Sequence, residues 1–269
     1  MKHIFTTEQQ ALAARILEHN HFSPLSELYS SEIQDLAVIW SFYSGKIEGN
    51  TYTFVETETL LKDGITSPRR YEEAKMLKNL YSTFISEVEY IKKGNTEEIN
   101  KRLLFELHSR LIADLIDNRE RGIIRKRAVR ITGTDYTPPT EEHLIEKALD
   151  QIMEEQAEIE NPLEKAVFLH CNIARLQPFI DGNKRTSRLV ESIVLMNDDI
   201  VPIHTTRLED INTYRKALLS FYEDRNHERQ VLKIHIELLS SDFCLCEHCQ
   251  LFVPFCLSCG IFPLSFSIA

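Results

Sequence analysis

The sequence predicts a mainly α-helical bundle carrying one small β-hairpin. Three observations predict it. Glycine and proline are scarce, 8 and 9 in 269 residues, roughly 3% each against usual values of about 7% and 5%, so tight turns are few. Apolar residues recur at i, i+3 or i+4 and i+7 along most of the chain. Between Arg119 and Pro139 that period gives way to short alternating segments and turn residues.

In chain order, Thr7-Glu-Gln-Gln10 reads as a capping box ahead of Leu12 and Ile16. From about Ser31, Leu36, Trp40, Tyr43 and Ile47 form a helical stripe, with Gly49 as its stop. Ala74, Leu77, Tyr81 and Phe84 place a helix over about 71–91, and Ile99, Leu103, Leu107 and Leu111 one over about 97–116. Ala128-Val-Arg-Ile131, the turn Thr132-Gly-Thr-Asp135 and the extended Tyr136-Thr-Pro-Pro139 read as the hairpin. Helices resume at about Thr140 (Leu144, Ala148, Ile152), 162–176, 183–196, 208–222 and 228–239. The expected organisation is an N-terminal helical part over 1–59, a core domain over 60–240 and a Cys-rich apolar tail over 241–269.

The chain is long enough to bury a core without disulfides. Its 43% hydrophobic and 27% charged residues exclude disorder and collagen-like structure. A net charge of −10 argues against nucleic acid held by bulk charge. The first residues lack an apolar signal-peptide region, so the cytoplasm is the expected location. Five of the six cysteines lie between Cys244 and Cys259. Among them Cys246, Cys249, Cys256 and Cys259 have the paired spacing of a zinc site, although their flanks are apolar. Leu251 to Ala269 carries no charge, but Pro254, Gly260 and Pro263 interrupt it, which argues against a membrane anchor.

The chemistry concentrates in Gln177-Pro-Phe-Ile-Asp-Gly-Asn-Lys-Arg-Thr-Ser-Arg188. One helix stops before Pro178 and another starts near Asn183. The unpaired N–H groups and positive dipole end of the second make an anion site, which Gly182 lets a phosphate approach. Lys184, Arg185 and Arg188 add three cations in five residues. Asp181 is a hard oxygen ligand suited to Mg²⁺ bridging phosphates. The combination points to a nucleotide polyphosphate with a metal.

This stretch resembles the signature of the Fic (filamentation-induced-by-cyclic-AMP) family, His-x-Phe-x-(Asp/Glu)-Gly-Asn-(Gly/Lys)-Arg-x-x-Arg, with Phe179, Asp181, Gly182, Asn183, Lys184, Arg185 and Arg188 in register. The resemblance covers about residues 60–225 and implies a Fic-type helical bundle. It implies AMP transfer from Mg·ATP, with ATP as substrate, to a hydroxyl of a target protein laid along a flap hairpin at about Val129–Thr134. Asp181 would hold Mg²⁺. Gly182, Asn183, Lys184 and Arg185 would cradle the phosphates, and Arg188 would meet the γ-phosphate. Ser44-Gly-Lys-Ile-Glu48-Gly49 resembles the family's inhibitory motif. By that resemblance Ser44 and Glu48, one helical turn apart, bring Glu48 onto Arg188. A homo-oligomer is compatible with this reading.

Two departures stand out. Gln177 occupies the place of the motif His, the general base, and an amide is no base near neutral pH. His170, two turns back, is about 10 Å away and reads as a core histidine. Lys184 stands where most AMP-transferring members have Gly; the Doc branch, which transfers phosphate, has Lys there. Three outcomes stay open: AMP transfer, a nucleotide-binding module without catalysis, and Doc-like phosphoryl transfer. Removal of AMP with Glu48 activating water would also need the missing His. Arg119, Arg121, Arg125, Lys126, Arg127 and Arg130 read as a solvated basic face, or alternatively as a dock for an acidic target. Tyr136 is a further candidate for contact with target or adenine.

Overall fold

The computed structural model describes residues 4–20 and 24–223. Its helices are α1 (Thr7–Asn20), α2 (Ser30–Ile47), α3 (Phe54–Glu58), α4 (Tyr71–Lys92), α5 (Lys101–Leu111), α6 (Glu142–Ala157), α7 (Pro162–Leu176), α8 (Asn183–Asn197) and α9 (Leu208–Glu223). A π-helical turn, Thr59–Asp63, continues α3. α7 and α8 share the most extensive interface; α8 also packs on α4 and α5, and α2 on α4 and α9. One core runs from Phe5 and Ala13 to Tyr222.

The expected stripes are the buried faces. Trp40, Tyr43 and Ile47 of α2 are buried, as are Leu77 and Phe84 of α4 and Leu103, Leu107 and Leu111 of α5. Trp40 stacks on Phe84 at 5.0 Å between ring centroids, joining α2 to α4. Gly49, with φ +86°, ends α2 in the left-handed conformation that a Cβ disfavours.

Several local expectations shift. The first capping box is one residue earlier: the Thr6 hydroxyl accepts from Gln9 N at 3.3 Å, and Gln9 Oε1 accepts from Thr6 N at 2.8 Å. On α6 the buried face is Ile145, Leu149 and Ile152, while Leu144 is exposed. α5 starts at Lys101 rather than 97, because the Asn100 side chain caps it by accepting from Leu103 N.

The β-hairpin is not formed: the described residues contain no strand. The polar groups of the 122–139 segment form no strand ladder: they bond partly to the body around it, at Gln177, Pro178 and Glu223, and partly to isolated groups within the segment. Arg125 N donates to the Pro178 carbonyl at 2.9 Å. The Arg125 side chain donates to the carbonyls of Gln177, Arg127 and Pro139. The Thr134 hydroxyl and Asp135 N donate to the Glu223 carboxylate. Two strands alone are marginal in water, and better partners lie on the body.

The expected 228–239 helix, the cysteine pairs Cys246/Cys249 and Cys256/Cys259, and the apolar tail lie outside the described residues. No helix among the described residues is long and apolar enough to cross a membrane.

Candidate functional site

Gln177 closes α7 with φ +53°, a left-handed C-cap whose N–H donates to Ile173 O. The chain then turns through Pro178–Asp181 and restarts at Gly182, which sits at φ +76°. A Cβ on Gly182 would stand 3.4 Å from both the His108 ring and Ile112 in a backbone conformation that side chains resist.

Asn183 ties this loop shut. Its Oδ1 accepts from Phe179 N at 2.8 Å, and its Nδ2 donates to Phe179 O at 2.9 Å and to Gln177 Oε1 at 3.1 Å. The Gln177 amide nitrogen donates to Ala174 O. Both ends of the Gln177 amide are therefore engaged, one by the last turn of α7 and the other by Asn183.

His108 of α5 was not singled out by the sequence, although its place on the stripe between Leu104 and Leu111 marks it as buried. Its Nδ1 accepts from Gly122 N at 2.9 Å, which assigns the proton to Nε2, and Nε2 donates to the Asp181 carbonyl at 3.0 Å. Its ring lies parallel to Phe179 at 3.8 Å. Burial, only partly opposed by the Asp181 carbonyl, holds its pKa at about 4, so it is neutral at physiological pH. A neutral histidine thus links the start of the 122–139 segment to the loop before α8. Arg125, buried, links the end of that segment to the same loop.

The cations come together at the start of α8. Arg185 is buried and donates to the exposed Asp181 carboxylate at 2.9 Å. Arg188 is 0% exposed. Its Nε donates to the Ser44 hydroxyl at 2.7 Å, and its Nη2 to Glu48 Oε1 at 2.7 Å. Lys184 Nζ lies 3.2 Å from the other Glu48 oxygen, Oε2. Among the described residues no side chain caps the N-terminus of α8 at Gly182. Arg185 Nε and Nη1 and Arg188 Nη1 are buried without a hydrogen-bond partner among the described residues. Donors in that state can donate to an anion's oxygens at little further desolvation cost.

Burial alone would raise the Glu48 carboxyl, but Arg188, then Lys184 and Arg185, outweigh it and hold the pKa at about 2. A folded value below the ordinary 4.5 means that the unfolded chain binds the extra proton. The stabilisation is therefore complete above about pH 4.5 and lost as pH falls toward 2, and is worth about 3 kcal/mol at neutral pH. Denaturant titrations of wild type and Glu48→Gln from pH 7 to 2 should converge over that window; a gap constant with pH would refute it.

Other expected candidates resolve differently. His170 is a core residue: Nδ1 is 2.8 Å from Glu191 Oε2 and Nε2 is 2.6 Å from the Tyr214 hydroxyl, tying α7, α8 and α9 together. Tyr136 lies under the Arg175 guanidinium at 3.8 Å and packs toward Tyr222. The basic face divides. Arg125 is buried, Arg121 donates to Ser109 O and Arg127 pairs with Glu120, while Lys126 and Arg130 are exposed. Among the described residues no group of three or more His, Cys, Asp or Glu forms a metal site. The lone carboxylate of Asp181 fits Mg²⁺ that arrives on phosphates, because such a metal takes only one or two protein carboxylates.

Residues 98–195 match the Fic/DOC family. A protein adenylyltransferase Fic from Nematostella vectensis is 30% identical over 191 residues, covering 66% of this chain and 41% of that protein. Protein adenylyltransferase fic-1 of Caenorhabditis elegans is 25% identical over 197 residues, covering 69% of this chain and 37% of that protein. The chain thus spans about two fifths of the length of these relatives. A crystal structure of a Fic family protein from Desulfovibrio desulfuricans superposes with a TM-score of 0.72 at 20% identity, over 89% of this chain and 75% of that one. With the motif loop, its buried cations and the helical body all in place, the chain carries a Fic/DOC family domain.

Proposed function

We propose that this chain binds Mg·ATP at the start of α8 and transfers AMP to a hydroxyl of a target protein, with Glu48 holding the resting state. The observation that carries this reading is the buried Arg188, whose charge is met by a carboxylate lent from α2, beside arginine N–H groups with no hydrogen-bond partner among the described residues. That arrangement suits a site built for a polyanion and held by a stand-in.

In this reading Arg185 and the first-turn N–H groups of α8 take the α- and β-phosphates. Arg188 takes the γ-phosphate once Glu48 withdraws. Asp181 would hold Mg²⁺, whose charge would offset that of the phosphates. The target hydroxyl, presented along 129–134, bonds to the α-phosphorus. The bond to the bridging oxygen breaks, pyrophosphate leaves, and the hydroxyl proton goes to water because Gln177 cannot take it.

The engaged amide of Gln177 favours a second reading, a nucleotide-binding module without transfer. Lys184 at a position shared with the Doc branch keeps phosphoryl transfer as a third. The test is incubation with α- and γ-labelled ATP. Glu48→Gly with Gln177 intact is expected to label protein from the α-position, slowly, and wild type more weakly still. Labelling only after Gln177→His would replace this reading with the binding module; label from the γ-position alone would replace it with phosphoryl transfer.

A further inference from the structure

We infer that Lys184 is a specificity-determining residue that, together with Arg188, reads the terminal phosphate of a nucleoside triphosphate, at the notch that the Glu48 carboxylate fills. The inference rests on the proposed ATP site and adds the residue that selects triphosphate over diphosphate.

The geometry is a divided clamp. One Glu48 oxygen meets Arg188 at 2.7 Å, and the other meets Lys184 at 3.2 Å. The two cations are i and i+4 on α8, so they rise from successive turns of one face. Arg188 is fully enclosed, whereas the Lys184 side chain keeps 31% of its surface. The clamp thus has a buried inner donor and a partly exposed outer one. Arg185, between them in sequence, turns instead to Asp181 at 2.9 Å. An anion replacing Glu48 must offer two oxygens to two separate cations. A terminal phosphate has three oxygens and about two negative charges, so it can face both donors at once. A nucleoside diphosphate bound by its α- and β-phosphates in the α8 loop leaves the notch empty. The low pKa of Glu48 agrees with a site tuned to a fully ionised oxyanion.

The experiment is calorimetric titration of ATP and ADP, each with Mg²⁺, into full-length Glu48→Gly, Glu48→Gly/Lys184→Gln and Glu48→Gly/Lys184→Arg. Loss of one charge-assisted contact should weaken ATP binding by about 10- to 100-fold in the Lys184→Gln double variant and leave ADP nearly unchanged, so the ATP/ADP preference collapses. Lys184→Arg should restore most of it. An unchanged ATP/ADP ratio in Lys184→Gln, with ATP still bound by Glu48→Gly, would overturn the role of Lys184 while leaving the nucleotide site intact. Equal losses for ATP and ADP would assign Lys184 to the inner phosphates and likewise overturn it. Failure of Glu48→Gly to bind either nucleotide would overturn the site itself.

Discussion

Gln177→His in a Glu48→Gly background is expected to raise transfer of α-label from ATP to protein by about 10²–10⁴-fold, the usual contribution of a positioned general base. The backbone is ready for it. Position 177 sits at φ +53°, where histidine is tolerated better than most residues, so the ring can be installed without reshaping the C-cap. The cost is the pair of bonds that Gln177 makes to Ala174 O and from Asn183. Asn183 keeps both of its contacts to Phe179, so the loop retains its closure. The new rate should rise with pH through the imidazole range, as a base requires, and Gln177→Asn should show no such rise. A rate unmoved by Gln177→His would mean that proton removal does not limit this site.

Phe179→Ala is expected to cost about 3–5 kcal/mol in unfolding free energy, the range for emptying a large buried aromatic position. Phe179 is 0% exposed, stacked on His108 and edge-on to Phe105 at 5.8 Å. Its backbone N–H and C=O are the two groups that Asn183 holds, so the ring anchors the loop that positions Asp181 and Gly182. Guanidinium denaturation should show a lower midpoint at unchanged slope, and Phe179→Leu should recover more than half of the loss. A loss under 1 kcal/mol would show that burial of this ring is not what fixes the loop.

The helices were legible because an amphipathic period reports burial along a single element. Leu36, Trp40, Tyr43 and Ile47 name the inner face of α2 without reference to anything outside it. The loop before α8 was legible for a similar reason: its glycine, carboxylate and cations all fall within twelve residues. The 122–139 segment was not, because its outcome is decided by distant acceptors. Alternation in Ala128–Ile131 suits a strand. What wins is the Arg125 guanidinium, which finds carbonyls at 177 and 139, and the Glu223 carboxylate, which takes Thr134 and Asp135. His108 escaped because a histidine on an apolar stripe states that it is buried, not which carbonyl it meets 73 residues later. That Lys184 shares Glu48 with Arg188 needed α2 and α8 side by side.

The enclosure of Arg188 bears on how the site changes hands. If Glu48 left first, the guanidinium would stand without a counter-charge at 0% exposure. Stranding a buried ion costs about 3–5 kcal/mol, so that vacant state would be rarer by roughly two to four powers of ten. On the proposed reading, replacement should therefore run as an associative exchange, in which the incoming anion engages the partly exposed Lys184 before the carboxylate releases Arg188. The exchange rate should then climb in proportion to nucleotide concentration instead of levelling off at a fixed opening rate.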